Sequence, residues 1–131
     1  MVKQVLDIGN CAADHAAIRY LIERGFDARV TRAYGEPDAL AVLRSQQIDL
    51  VLVNRLLDRG GDGLQVILRI KSEPDLASVP VMLVTDYPQY QRAAIEAGAE
   101  HGFGKSELQA PETRDKLKRF LGTDAVHEGR G

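Results

Sequence analysis

The stretch "DLVLVNRLLDRGGDGLQVI" (Asp49–Ile67) carries the clearest structural message in the chain. Leu50–Val53 is an apolar run without polar alternation, which is how a strand reads when both of its faces are covered. It ends on Asn54. A turn-forming segment with Gly60, Gly61 and Gly63 follows, and then Leu64, Ile67 and Leu68 recur at helical spacing. The unit is strand, loop, helix, with a polar amide at the strand's carboxyl end.

The same unit recurs on both sides. Strands are expected at Val5–Ile8, Ala28–Thr31, Ile48–Val53 and Val79–Thr85, with a weaker one around Gly102–Phe103. Helical spacing links Ala13, Ala17, Ile18, Leu21 and Ile22, then Ala39, Leu40 and Leu43. Downstream of Leu64–Leu68 it returns in Tyr90, Ala94 and Ala97, and in Leu117, Phe120 and Leu121. Gly25 closes the first helix, Pro37 opens the second, and "SEPDLASVP" separates the third from the fourth strand. Five strands alternating with five helices predict an α/β fold, a doubly wound (βα)5 sandwich around a five-stranded parallel sheet. The domain spans 1–121, and "GTDAVHEGRG" (122–131) loses periodicity and reads as a flexible C-terminal tail, a linker to another domain being the weaker reading.

A chain of 131 residues with 44% hydrophobic residues suffices for one core. The net charge of −2 is spread without a basic stripe, so no nucleic-acid surface is expected, and no output domain is left over for DNA. No apolar run reaches the roughly 20 residues of a membrane span and no cleavable leader is visible, so the expectation is a cytoplasmic protein without a membrane role. Cys11 is the only cysteine, which excludes an internal disulfide and disfavours a thiolate metal site. His15, His101 and His127 share no ligand spacing and read as surface or tail residues. No cofactor is expected.

In doubly wound sheets, chemistry gathers beyond the carboxyl ends of the strands. The residues there are Ile8–Cys11, Asn54–Asp58, Thr85–Tyr87 and Gly104–Ser106. A flavodoxin-like redox protein is the weaker rival, because "GNCAADH" after the first strand holds a single glycine and so no phosphate-binding glycine loop.

Five pieces occur in one order: "ERGF" after the first helix, "DLVLVN" running into "GGDGLQVI", the "PDLA" helix exit, "VPVMLVT", and "EAGAEHGFGK". In this the chain resembles the receiver domain of two-component response regulators, over about residues 3 to 121. The resemblance implies a flavodoxin-like fold and a place in phosphorelay signalling. There an Asp at the end of the third strand accepts a phosphoryl group, with a divalent cation held by that Asp and an acidic pair after the first strand. A hydroxyl and a Lys contact the phosphoryl group. The chemistry explains the types: a carboxylate is the nucleophile, Mg²⁺ takes hard oxygens, and the Lys and hydroxyl stabilise charge.

Matched position by position, Thr85 is the hydroxyl and Lys105 the lysine, two retained pocket residues. Asn54 stands at the phosphoacceptor position, and an amide is too poor a nucleophile to form an acyl phosphate. The acidic pair falls on Ile8 and Gly9, which have no side-chain oxygen; Asp7 lies one residue early and should point away from the crevice. Gly102 replaces the switch aromatic, and Ser106 replaces the Pro after the lysine. The loop after the third strand is about one residue longer than the family outline. The resemblance therefore implies a stand-alone pseudo-receiver that is not phosphorylated, is not an enzyme, and acts by protein contacts.

Other residues admit a plainer reading. A substitute acceptor or metal site is the rival reading of Asp58 and Asp62, but Asp62 before Gly63 is more simply a helix cap and Asp58 a solvated loop charge. Thr85 and Lys105 read as scaffold, Lys105 bonding the Asn54 amide or a loop carbonyl. Cys11 reads as a small packed residue. Tyr87, Tyr90 and Phe103 fall where receivers meet partners, which makes them candidates for a protein interface with a signalling protein or histidine kinase, or with a second copy in a homodimer. Alternatives are a small-molecule or anion sensor using the Asn54, Thr85 and Lys105 crevice, and phosphotransfer through Asp58 or Asp7.

Overall fold

A computed structural model of the chain describes residues 2–122. Past Gly122, the segment read as a tail lies outside the described residues. The elements are β1 (Lys3–Ile8), α1 (Ala12–Gly25), β2 (Ala28–Ala33), α2 (Glu36–Ser45), β3 (Leu50–Asn54), α3 (Gly63–Ser72), β4 (Val81–Val84), α4 (Pro88–Glu96), β5 (Glu100–Phe103) and α5 (Pro111–Leu121). A short 3₁₀ turn, Lys105–Glu107, joins β5 to α5. All strand pairs are parallel, in the order β2-β1-β3-β4-β5. The expected (βα)5 sandwich is the observed one.

Alternation along the strands sorts the core into two layers, because successive side chains leave opposite faces of a sheet. Leu6, Ile8, Val51, Val53, Val81 and Leu83 meet α2, α3 and α4 through Ala39, Leu43, Val66, Ile67, Ile70 and Ala94. Val5, Leu50, Leu52, Met82 and Val84 meet α1 and α5 through Ile18, Ile22, Leu117 and Leu121. Every residue of β3 is buried, as its unbroken apolar run required. The chain order reverses direction between β1 and β3, so the crevice lies where those two strands end side by side.

β5 departs from regular pairing. Met82 pairs with Glu100 but Val84 pairs with Phe103, so β5 holds one extra residue. A Cβ on Gly102 would stand 2.2 Å from the Leu83 carbonyl oxygen, so this bulge accepts only glycine there. Glycine at 102 is thus explained by the backbone. The bulge also corrects the reading of Phe103 as an interface residue: it is 1% exposed and sits in the α1–α5 layer beside Met82 and Val84.

Candidate functional site

At the end of β1, Gly9 turns the chain with φ of +78°, in the left-handed region that favours glycine. A Cβ there would also fall 2.3 Å from Leu57 Cδ2. Leu57 is buried, its own turn is closed by Leu57 N–H to Gly61 O and Gly60 N–H to Leu57 O, and Asp58 N–H donates to Gly9 O at 2.8 Å. The loop after β3 is thereby fastened over the end of β1. Ile8 points into the α2–α4 core layer and is fully buried.

Asn54 is held from both ends of its amide. Nδ2 donates to Leu56 O at 2.7 Å and, more weakly, to Gly9 O at 3.4 Å, while Oδ1 accepts the Arg55 N–H at 3.0 Å. Asp62 caps α3, its carboxylate accepting Leu64 N–H, which is the plainer of its two readings. Asp58 is exposed on the loop.

The positions to which the resemblance assigns metal carboxylates thus hold a buried aliphatic chain, a glycine beneath Leu57, and an amide whose oxygen already accepts a hydrogen bond. Mg²⁺ prefers anionic oxygens in near-octahedral array, and these residues do not fit it. Among the described residues, no group of three or more His, Cys, Asp or Glu is arranged to hold a metal ion.

Thr85 is buried at the end of β4, its N–H donating to Phe103 O and its Oγ1 accepting Tyr87 N–H at 3.3 Å. Lys105 does not bond the Asn54 amide or a loop carbonyl as expected. Its Nζ lies 2.7 Å from Asp14 Oδ2 in the first turn of α1. The hydrogen bond and charge of Lys105 hold the Asp14 carboxyl below its usual range. The physical reason is that the Asn54 amide is fully engaged by backbone, whereas Asp14 offers a charge. Ser106 donates its N–H and hydroxyl to Asp86 Oδ1, a backbone bond that proline could not make.

Two arrangements escaped the sequence reading, and a third was read only in part. Asp7 is completely buried on the α1 side of the sheet, accepting from Asn10 Nδ2 at 2.6 Å and lying 2.7 Å from His15 Nδ1; Arg32 Nη2 donates to Asn10 O. Burial pushes the Asp7 carboxyl up, against the opposing pull of His15 and Asn10. His15 is therefore no surface histidine. Gln91 is buried in α4 and links three backbones: Nε2 donates to Leu83 O and Thr85 O, and Oε1 accepts Gly102 N–H. Its signal was a polar residue one turn from Ala94 on the apolar stripe, since a buried amide must find partners. Cys11 is the residue preceding α1 and is half-buried, with no capping bond from its side chain.

The third arrangement is a cleft of about 580 Å³ between the ends of β3 and β4 and the start of α4. Asn54, Thr85 and Lys105 are among the residues that line it. Tyr87 and Tyr90 line it too, edge to face with ring centroids 6.0 Å apart, and Arg55 stacks on Tyr90 with its guanidinium carbon 4.0 Å from the ring centroid.

The model of the response regulator receiver domain family matches residues 11–118, most of the chain. The chain belongs to the response regulator receiver domain family. Solved receivers agree in fold. A response regulator described from Chloroflexus aurantiacus J-10-fl is 23% identical with a TM-score of 0.80, covering 92% of this chain and 98% of its own. The Mn(2+)-bound response regulator Rcp1 gives 20% identity, a TM-score of 0.73, and coverage of 92% and 96%. The chemotaxis response regulator CheY4 of Vibrio cholerae gives 16% identity, a TM-score of 0.72, and coverage of 92% and 100%. Among curated proteins, none matches the sequence. Receiver domains are signalling modules that interact with histidine kinases and other proteins. In this receiver no helix of the described residues is long and apolar enough to cross a membrane.

Proposed function

We propose that this receiver has left phosphotransfer and signals through protein contacts. The observation that carries the reading is the Asn54 side chain. It stands where the family resemblance places the acceptor, and its amide is bonded to Leu56 O, Gly9 O and Arg55 N–H. An amide lacks the nucleophilic oxygen of a carboxylate. The neighbouring positions cannot compensate, since Ile8 is core and Gly9 lies under Leu57. Phosphotransfer through another Asp is disfavoured on the same ground. Asp7 is sealed against His15 and Asn10, and Asp58 sits exposed on the loop without partner carboxylates.

The partner is a protein of the same signalling class, a histidine kinase among them, with a second copy of the chain as the alternative. Tyr87, 60% exposed at the start of α4, and Ile95 further along that helix are exposed apolar groups suited to such a contact. Tyr90 is half-buried behind Tyr87, and Phe103 takes no part.

The test is incubation with acetyl phosphate and Mg²⁺, followed by intact mass measurement and hydroxylamine treatment. The expected result is no added phosphoryl group, in the native chain or in Asn54→Asp. A stoichiometric, hydroxylamine-labile phosphoryl group on the native chain overturns the reading.

A further inference from the structure

Arg55 follows Asn54, and its side chain lies along Tyr90 at the wall of the cleft. Its Nε is buried without a hydrogen-bond partner, and among the described residues no carboxylate lies within ion-pair distance of its guanidinium. A partly buried cation that lacks a counter-charge is costly to maintain unless something supplies one. The other cation of the cleft is matched already, Lys105 by Asp14. Asp86, the carboxylate among the lining residues, is turned to Ser106. The apolar side is equally uncovered: Leu56 is 63% exposed and Tyr87 60%, and both border the same cleft. The volume of about 580 Å³ lies within the roughly 300–1,000 Å³ of small-molecule sites, where a mostly apolar lining with a few polar groups is the rule.

We infer that this cleft binds a small aromatic anion, an aryl carboxylate or aryl phosphate, its ring between Leu56 and Tyr87 and its anionic group on Arg55. The planar guanidinium, preorganised by Tyr90, presents paired N–H donors suited to a two-oxygen anion. Thr85, which also lines the cleft, contributes a hydroxyl. The occupant of the cleft is a small molecule because the groups converge within one concavity; Tyr87 borders both the cleft and the partner face of α4, and Ile95 lies outside the cleft. The inference is tested separately from the phosphotransfer question, since Arg55, Leu56 and Tyr87 are not the residues to which the resemblance assigns that chemistry, and Thr85 alone is shared.

The experiment is an amide NMR titration of the full chain with 2-naphthoate, against 2-naphthalenemethanol, hexanoate and inorganic phosphate. Saturable shifts are expected at Arg55, Leu56, Tyr87 and Gln89 with 2-naphthoate, each control binding at least about tenfold more weakly, the scale of one lost charge-assisted contact. Arg55→Gln should lower the affinity about tenfold, and Arg55→Lys less, since it keeps the charge and loses the fork. Superposable spectra of the free variants away from the cleft show that they fold. Three results overturn the inference: no saturable shifts at these amides, 2-naphthalenemethanol or phosphate binding as well as 2-naphthoate, or Arg55→Gln binding unchanged. None of them bears on whether acetyl phosphate modifies the chain.

Discussion

The two halves of the crevice face solvent side by side and are built on opposite plans. On the β1–β3 side, Leu57 lies over Gly9, Asp58 N–H ties the loop down, and Asn54 spends both ends of its amide on backbone. On the β4–α4 side, Arg55 keeps an unpartnered buried Nε, and Leu56 and Tyr87 stand in solvent. The closed half pairs the Asn54 amide and the Asp7 carboxylate internally and leaves Asn10 Oδ1 and Arg32 Nε unpaired beside them. The open half adds exposed apolar groups to its unpaired Nε, and uncovered apolar surface beside a polar group is the condition of a surface that binds something. Asn54 and Arg55 are adjacent in sequence, and the boundary between the two plans runs between them.

The largest effect should come from opening the closed half. Leu57→Ala removes a buried side chain and the contact that covers Gly9, so a loss of about 3 kcal/mol is expected in urea unfolding, within the range of core truncations. Leu56→Ala, one residue earlier and exposed, should change stability by no more than about 0.5 kcal/mol. Equal losses from the two would erase the distinction between the halves.

Next comes the base of the closed half, where Asp7 is buried against His15. His15→Ala removes the partner of a buried carboxylate, and a loss of about 3 kcal/mol is expected at neutral pH. The sign of its pH dependence follows from Asp7. Burial raises its folded pKa above the ordinary 3.8, and His15 opposes that rise. In the variant the folded state holds its proton still more tightly, so it binds more protons than the unfolded chain from about pH 4 upward. Its stability therefore falls as pH rises through that window and recovers on acidification. Unfolding midpoints at several pH values between about 4 and 8 check this; a loss independent of pH would show that His15 acts through packing rather than charge.

These residues also mark how far the sequence could be read. The strands and helices were legible because apolar runs and helical spacings are local patterns, and β3 announced its burial on both faces. The positions of Asn54, Thr85 and Lys105 at strand ends followed from the same pattern. What the pattern could not carry was pairing across the fold. Lys105 meets Asp14 and Asp7 meets His15 because α1 packs on the sheet and brings its first turns to these residues, which no spacing within one element encodes. Phe103 was misplaced because a single extra residue in β5 reverses which face a side chain takes. Gly9 and Gly102 read as lost functional groups, and the structure gives each a steric reason as well.

The smallest expected effect tests whether Lys105 belongs to the closed half or merely borders it. Its pair with Asp14 joins the turn after β5 to α1, with each side chain about one-third exposed. At that exposure solvent and salt screen the attraction, so Asp14→Asn should cost only about 0.5 kcal/mol at low ionic strength and less in concentrated salt. Because Lys105 lowers the folded pKa of Asp14, the contribution is present above the unfolded carboxylate pKa of 3.8 and is lost as pH falls through the lower folded value. The informative readout is the cleft. Freed from Asp14, Lys105 becomes a second uncompensated cation beside Thr85, and 2-naphthoate should bind Asp14→Asn more tightly than the native chain. Unchanged affinity would confine anion recognition to Arg55, and weakened affinity would show that α1 holds Lys105 where the open half needs it.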